Sequence, residues 1–151
     1  MGEVLIRGLI QSGSVKKKDI ITSDTNRDRL SYIEKTYGVR ATTSNVKIVK
    51  SASIVIIAVK PQNVDDLLEE LSNSSHEEHL FISIVAGITT ERLAAKMHHQ
   101  SGIIRVMPNA PSSVLAGIAA LCPGRNVSPG DLKRAEFHFD RDEKLVKKEL
   151  W

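Results

Sequence analysis

The stretch Ser53 to Gln62, SIVIIAVKPQ, constrains this chain more than any other. Five of the six residues from Ile54 to Val59 are Ile or Val, with Ala58 the exception. A continuous run of this kind reads as a strand buried on both faces, as in a parallel sheet with helices above and below. The run stops at Lys60-Pro61. Proline lacks an N–H and disfavours helix at the residue before it, yet it suits the first helical turn. A strand is therefore expected to end here. A helix is expected to start near Pro61 and reach about Leu71, carrying Asp65, Asp66, Glu69 and Glu70. In open α/β sheets ligands bind beyond the carboxyl ends of the strands, and Ala58 to Pro61 hold that place.

The rest of the chain alternates around this strand. MGEVLIRGLIQSG reads as a helix from its first residues, with Gly13 as its stop. A loop at Lys16 to Asp19 precedes a short strand, Ile20 to Ser23, which ends at Asp24. Asn26 suits an N-cap for a helix to about Tyr37, closed by Gly38. A short strand at Val39 to Ala41, a polar turn at Thr42 to Asn45 and a short helix at Val46 to Lys50 lead into the central strand. Beyond the polar loop 72–78, Leu80 to Val85 reads as a second buried strand closed by Ala86-Gly87. Thr89 suits the cap of a helix to about His98. Strands follow at Gly102 to Met107 and Gly117 to Leu121, then a helix opened by Ser128-Pro129, then a strand near Lys144 to Lys148. Alternation of this kind predicts an α/β fold, a doubly wound and mostly parallel sheet with right-handed crossovers. The chain opens on a helix, so the first strand of the usual unit is expected to be absent from it.

Composition narrows the function classes. At 151 residues one domain with a sizeable core is expected. The net charge of +3 comes from 21 basic and 18 acidic residues scattered among one another, which argues against a nucleic-acid partner. The run Lys16 to Lys18 reads as a solvated loop. No stretch approaches the ~20 apolar residues of a membrane span, and no signal pattern opens the chain. Cys122 is the single cysteine, so an internal disulfide is excluded and a reducing, cytoplasmic setting is expected. It reads as a strand-end thiol. The five histidines lack metal-ligand spacing, and the rings of His98 and His99 are expected to diverge. Neither a Ser–His–Asp pattern nor a pair of catalytic carboxylates is apparent.

Several strings then fall in order at domain-scale spacing. MGEVLIRGL (Met1 to Leu9) looks like the end of a dinucleotide fingerprint and its helix; AVKPQ, SIVAGIT, IRVMPNAP and LCPG follow, the last at Leu121 to Gly124. Together they resemble the amino-terminal, cofactor-binding domain of pyrroline-5-carboxylate reductase, over essentially the whole chain. The resemblance implies a Rossmann-like NAD(P)-binding domain over residues 1–151, with NADP(H) favoured and NAD(H) possible. It implies reduction of 1-pyrroline-5-carboxylate to proline, and a homo-oligomer formed through a helical carboxy-terminal domain that also holds the substrate and is absent here. No catalytic residue is assigned to these residues.

The resemblance also carries site residues over. Gly2 matches the last fingerprint glycine, at the start of a helix whose N–H groups suit a pyrophosphate. The ribose-reading position lies about 20 residues further on, which lands on Ser23 and Asp24. Positions matching Ser23, Asn45, Val59, Lys60 and Ala86 contact the dinucleotide in the family. The backbone of Ala58 to Pro61 and of Ala86-Gly87 lines the path to the nicotinamide, and Met107, Pro108 and Asn109 flank it. Each has a plainer reading: Asn45 and Asn109 as turn formers, Lys60 as a solvated strand-end lysine, Gly87 and Gly124 as turn glycines. Asp24 suits an N-cap and a ribose diol equally.

The chain departs from the family pattern in three places. It begins at the end of the fingerprint, so a central strand is expected to be missing between two others. Asp142-Glu143 stand where the family turns through a glycine, and the sequence stops at Trp151. Two other readings stay open. One is another Rossmann reductase, of the hydroxyacid dehydrogenase or coenzyme F420-dependent NADP reductase type. The other is a non-catalytic domain that binds a nucleotide or accepts a strand from a partner.

Overall fold

The structure, a computed structural model, describes residues 1–108, 118–139 and 144–147, with the side chains of 1–107 and 120–137. Asn109, Pro111, Gly117, the Asp142-Glu143 turn and Lys148 therefore lie outside the described residues.

Helices and strands alternate as α1 (Gly2–Gln11), β1 (Ile21–Ser23), α2 (Arg27–Tyr37), β2 (Arg40–Thr42), α3 (Asn45–Ser51), β3 (Ile54–Ile57), α4 (Val64–Leu71), β4 (Leu80–Ser83), α5 (Thr90–Ala94), β5 (Gly102–Pro108), β6 (Ile118–Pro123), α6 (Pro129–Phe139) and β7 (Lys144–Lys147). β1 and β2 form a parallel pair of their own, while β3 to β7 form one sheet in chain order. Within that sheet β3, β4 and β5 run parallel, in the register Val55–Phe81–Ile103 and Ile57–Ser83–Arg105. β6 returns antiparallel to β5, which the alternation of helix and strand did not mark out. Among the described residues no strand joins β1 to β3.

The sheet is wound on both faces. On one side α3, α4 and α5 bury Val49, Val64, Leu68, Leu71 and Leu93 against Val55, Ile57, Phe81 and Ile103. On the other, Leu5 of α1 and Ala135 of α6 pack on Leu80, Ile82, Ile104 and Val106. Alternate residues of one strand thus feed opposite cores, which explains why β4 is apolar at consecutive positions. A smaller cluster joins Ile6 of α1 and Ile33 of α2 to Ile20 and Val39, which lie just ahead of β1 and β2.

Local signals set most element ends. The Asn26 side chain accepts from the Arg29 N–H and opens α2, Thr89 accepts from Arg92 and opens α5, and Gly38 ends α2 in the left-handed region. Ser128 and Asp131 cap α6 reciprocally, Ser128 Oγ accepting the Asp131 N–H while the Asp131 carboxylate accepts the Ser128 N–H. Pro129 follows at the first helical position. Three expectations change. The ladder of β3 stops at Ile57, two residues before Val59, and Pro61–Asn63 forms a 3₁₀ turn ahead of α4. Ser44, accepting from Lys47, caps α3, so Asn45 is helical rather than part of the turn. α5 ends at Ala94 instead of near His98, because the Ser75 hydroxyl takes the His98 N–H at 2.9 Å and holds the chain off a helical course.

Gly124 stands directly before the turn at Arg125-Asn126, and it does so without the positive φ of Gly13, Gly38 and Gly87. What Gly124 supplies is room. A Cβ there would lie 2.9 Å from the Ile103 carbonyl oxygen, to which the Gly124 N–H donates at 2.8 Å. Both partners are backbone, so neither can move aside cheaply. Gly124→Ala is expected to cost about 1–3 kcal/mol, read as a lower urea midpoint with an unchanged slope. An unchanged midpoint would show that the β5–β6 pair can open locally.

Candidate functional site

Because β3, β4 and β5 are parallel, their carboxyl ends lie along one edge. The chain leaves β3 through Ala58 and Val59, both half-buried, to an exposed Lys60 with extended backbone and an exposed Pro61. It leaves β4 through Ile84 and Val85 to Ala86 and Gly87, both exposed. Gly87 has φ +74°, and a Cβ there would meet nothing within 4 Å. Here the glycine serves the turn, since a side chain at this φ is strained even in open space. The result is a rim of accessible main chain at the tips of two neighbouring strands.

The first turn of α1 comes to the same rim. A Cβ built on Gly2 would stand 3.8 Å from the Ala58 Cβ. That is ordinary van der Waals contact, looser than the packing expected of a fingerprint glycine. No side chain caps α1, which leaves its N-terminal N–H groups to other acceptors. The neighbouring carboxylate of Glu3 is engaged by α2: the Tyr37 hydroxyl donates to it at 2.8 Å, the Tyr32 hydroxyl at 3.3 Å, and Arg29 forms an ion pair with it. The Tyr37 hydrogen bond, helped by Arg29, holds the Glu3 carboxyl below the usual range against the opposing effect of burial. The same contact raises the Tyr37 phenol. This cluster clamps α1 to α2 with its carboxylate already satisfied.

At the end of β1, Ser23 and Asn45 come together although 22 residues separate them. Ser23 Oγ donates to Asn45 Oδ1 at 2.6 Å, and Asn45 Nδ2 donates to Glu70 Oε2 at 2.8 Å. The relay joins β1, α3 and α4. The sequence places Glu70 on the helix after Pro61, and nothing in the linear sequence pairs it with Asn45. Asp24 accepts the Asn26 N–H at 2.9 Å in a local turn, while Asn26 itself caps α2. Asp24 is exposed and remains beside the β1 tip.

Other expected positions sort differently. Met107, near the end of β5, is 50% exposed, and the Cys122 thiol is buried in β6. The rings of His98 and His99 do not diverge: their centroids lie 4.6 Å apart with a 34° tilt, because the chain has left the helix before reaching them. Among the described residues no helix is long and apolar enough to cross a membrane.

Residues 1–87 match the family described as NADP oxidoreductase, coenzyme F420-dependent. Curated relatives extend the similarity further. A pyrroline-5-carboxylate reductase of Mycobacterium tuberculosis is 35% identical over 93% of this chain and 49% of its own length. One from Methanosarcina acetivorans is 36% identical over 89% and 50%. The chain thus spans about half the length of the curated relatives it matches. Among solved structures, a pyrroline-5-carboxylate reductase from Coxiella burnetii superposes with a TM-score of 0.92 at 29% identity, over 99% of this chain and 55% of that one. Prephenate dehydrogenase from Aquifex aeolicus, at 16% identity and a TM-score of 0.82, shares the fold. The family match ends at Gly87, whereas the relatives' similarity takes in most of the remaining chain. On these grounds the chain belongs to the NADP oxidoreductase, coenzyme F420-dependent family, with pyrroline-5-carboxylate reductases among its similar relatives.

Proposed function

We propose that these residues bind a nicotinamide dinucleotide, NADP(H) being favoured and NAD(H) possible, as the dinucleotide domain of a reductase that converts 1-pyrroline-5-carboxylate to proline. The observation that carries this reading is the shared rim: exposed main chain after β3 and β4 beside an α1 N-terminus that no side chain caps. The residues present fit the group. The α1 N–H groups at Gly2 suit a pyrophosphate, and the open turn at Ala86-Gly87 admits a flat ring against main chain. In this assignment Ser23 and Asn45 meet the adenosine ribose, and Ala58, Val59, Lys60 and Pro61 line the route to the nicotinamide. Asn109, which the resemblance assigns to the nicotinamide end, lies outside the described residues. The bound coenzyme supplies hydride to the C=N carbon of the substrate. The protein's part here is to fix the coenzyme's position and keep one ring face available.

The same reading makes residues 1–151 one domain, with the gap between β1 and β3 as the place of the fold's first strand. Substrate pocket, proton donor and homo-oligomer contacts then belong to a helical domain distinct from residues 1–151. The similarity of the curated relatives beyond Gly87 favours this substrate over other reductions on the same fold.

Calorimetric titration with NADPH and NADH, alongside an assay for proline formation, tests both parts. Saturable binding of NADPH without appreciable turnover is expected. Failure to bind either dinucleotide would overturn the cofactor assignment. Proline formation at a rate normal for an enzyme (about 1–10³ s⁻¹) would overturn the placement of the substrate site elsewhere.

A further inference from the structure

The relay at the β1 tip has a direction that Glu70 fixes. An Asn side chain has one accepting and one donating end, and it can be turned over. A carboxylate only accepts. With Glu70 Oε2 2.8 Å from the Asn45 side-chain nitrogen, the amide must turn its NH₂ towards Glu70 and its oxygen towards Ser23. Ser23 then has to donate, and its Oγ sits 2.6 Å from Asn45 Oδ1. A hydroxyl carries one proton. With that proton spent, Ser23 offers a ligand only lone pairs.

Lone pairs suit a ribose 2′-hydroxyl, which can donate to them. They give no hydrogen bond to a 2′-phosphate, whose oxygens also accept, so the relay limits the NADP(H) preference proposed above without reversing it. To serve a phosphate Ser23 must take its proton back from Asn45. The amide can compensate only by turning over, which would set Asn45 Oδ1 against the Glu70 carboxylate. The surrounding charges are mixed: Asp24 adds a second carboxylate at the tip, Arg29 is committed to Glu3, and Arg27 lies exposed at the start of α2.

We propose that Glu70 is a positioning residue for cofactor choice: acting through Asn45, it holds Ser23 as a hydrogen-bond acceptor and so restrains recognition of the 2′-phosphate of NADPH relative to the 2′-hydroxyl of NADH. This deepens the dinucleotide reading above and rests on it. Gln is the informative replacement for Glu70. It keeps the size, removes the charge and presents either a donor or an acceptor. The Asn45 amide is then free to turn, and the Ser23 proton becomes available to a phosphate oxygen.

The test is calorimetric titration of the 151-residue chain and its Glu70→Gln variant with NADPH and with NADH. The ratio of NADH to NADPH dissociation constants is expected to rise about fivefold in the variant, the scale of one hydrogen bond changing partner. Tighter NADPH binding should account for most of the rise. In a Ser23→Ala background, where there is no proton to release, the same replacement should leave the ratio unchanged. An unaltered ratio in E70Q, or an equal loss of both affinities, overturns the proposal. So does a rise that persists without the Ser23 hydroxyl, since Glu70 would then act by charge alone. Absence of binding by the unmodified chain to either dinucleotide removes the cofactor reading itself, and this inference with it.

Discussion

Phe81→Ala is expected to cost this protein about 3–5 kcal/mol, a large share of the ~5–15 kcal/mol that usually separates folded from unfolded chains. Phe81 is 1% exposed, and its backbone pairs with Val55 on one side and Ile103 on the other. It belongs to the core under α3, α4 and α5, and its ring lies 5.5 Å from that of His79. Helices on one side and β strands on the other limit collapse into the space, so a cavity should persist and add to the lost transfer energy. For a chain of this size each kcal/mol shifts the melting temperature by about 2–4 °C. Phe81→Leu, which keeps most of the volume, should lose about 1.5 kcal/mol or less. Function enters through linkage. A ligand that binds only the folded state at about 100 times its dissociation constant returns ~2.7 kcal/mol. NADPH should therefore raise the melting temperature of the weakened variant, provided that the β3 and β4 tips keep their positions. Thermal melts with and without NADPH measure both effects. A loss below about 1 kcal/mol would show that the sheet's centre is not packed as described.

The parts of this fold legible in the sequence are those set by neighbours in the chain. The Ile/Val run of β3 announced a strand covered on both sides; Val55 and Ile57 are buried under α3 and α4, whereas Ile54 and Ile56 on the other face are only half-buried. Asn26, Thr89 and Ser128 announced helix starts because a cap acts within three residues. The parts that could not be read are contacts across the chain. Ser75 shortens α5 from 23 positions away, and the same event brings the His98 and His99 rings together. Gly124 announced the turn that follows it, but the Ile103 carbonyl that leaves no room for a Cβ comes from 21 positions away. At the candidate site Ser23 and Asn45 were singled out by resemblance. Their mutual bond and its extension to Glu70 depend on how α3 crosses between β2 and β3, which no periodicity encodes.

The other large effect concerns His79, which is 3% exposed at the entry to β4. The His76 N–H donates to its Nδ1 at 2.9 Å, so that nitrogen carries no proton. Nε2 must then carry the proton, and it donates to the Val49 carbonyl at 2.9 Å. Val49 lies in the last turn of α3, where a carbonyl lacks a helical partner. One neutral imidazole thus satisfies two backbone groups and ties α3 to the sheet. Burial lowers the His79 pKa below its ordinary 6.5, against the Val49 hydrogen bond, which raises it. The charged neighbours act in opposite senses: His76, its ring centroid 3.7 Å away, lowers the pKa and Glu78 raises it. Because the folded pKa is depressed, the unfolded chain takes up the proton first as pH falls. Stability from this site is complete above the unfolded value and drains away between it and the folded value. His79→Asn keeps an acceptor for the His76 N–H, strands the Val49 carbonyl and cannot titrate. At about pH 8 it should cost about 1–3 kcal/mol, and on acidification to about pH 5 the gap to the native protein should narrow. Urea midpoints of both proteins across that range decide it. Parallel loss of stability in the two would place the acid sensitivity elsewhere, and a gap that widened towards low pH would mean that His79 is charged in the folded state.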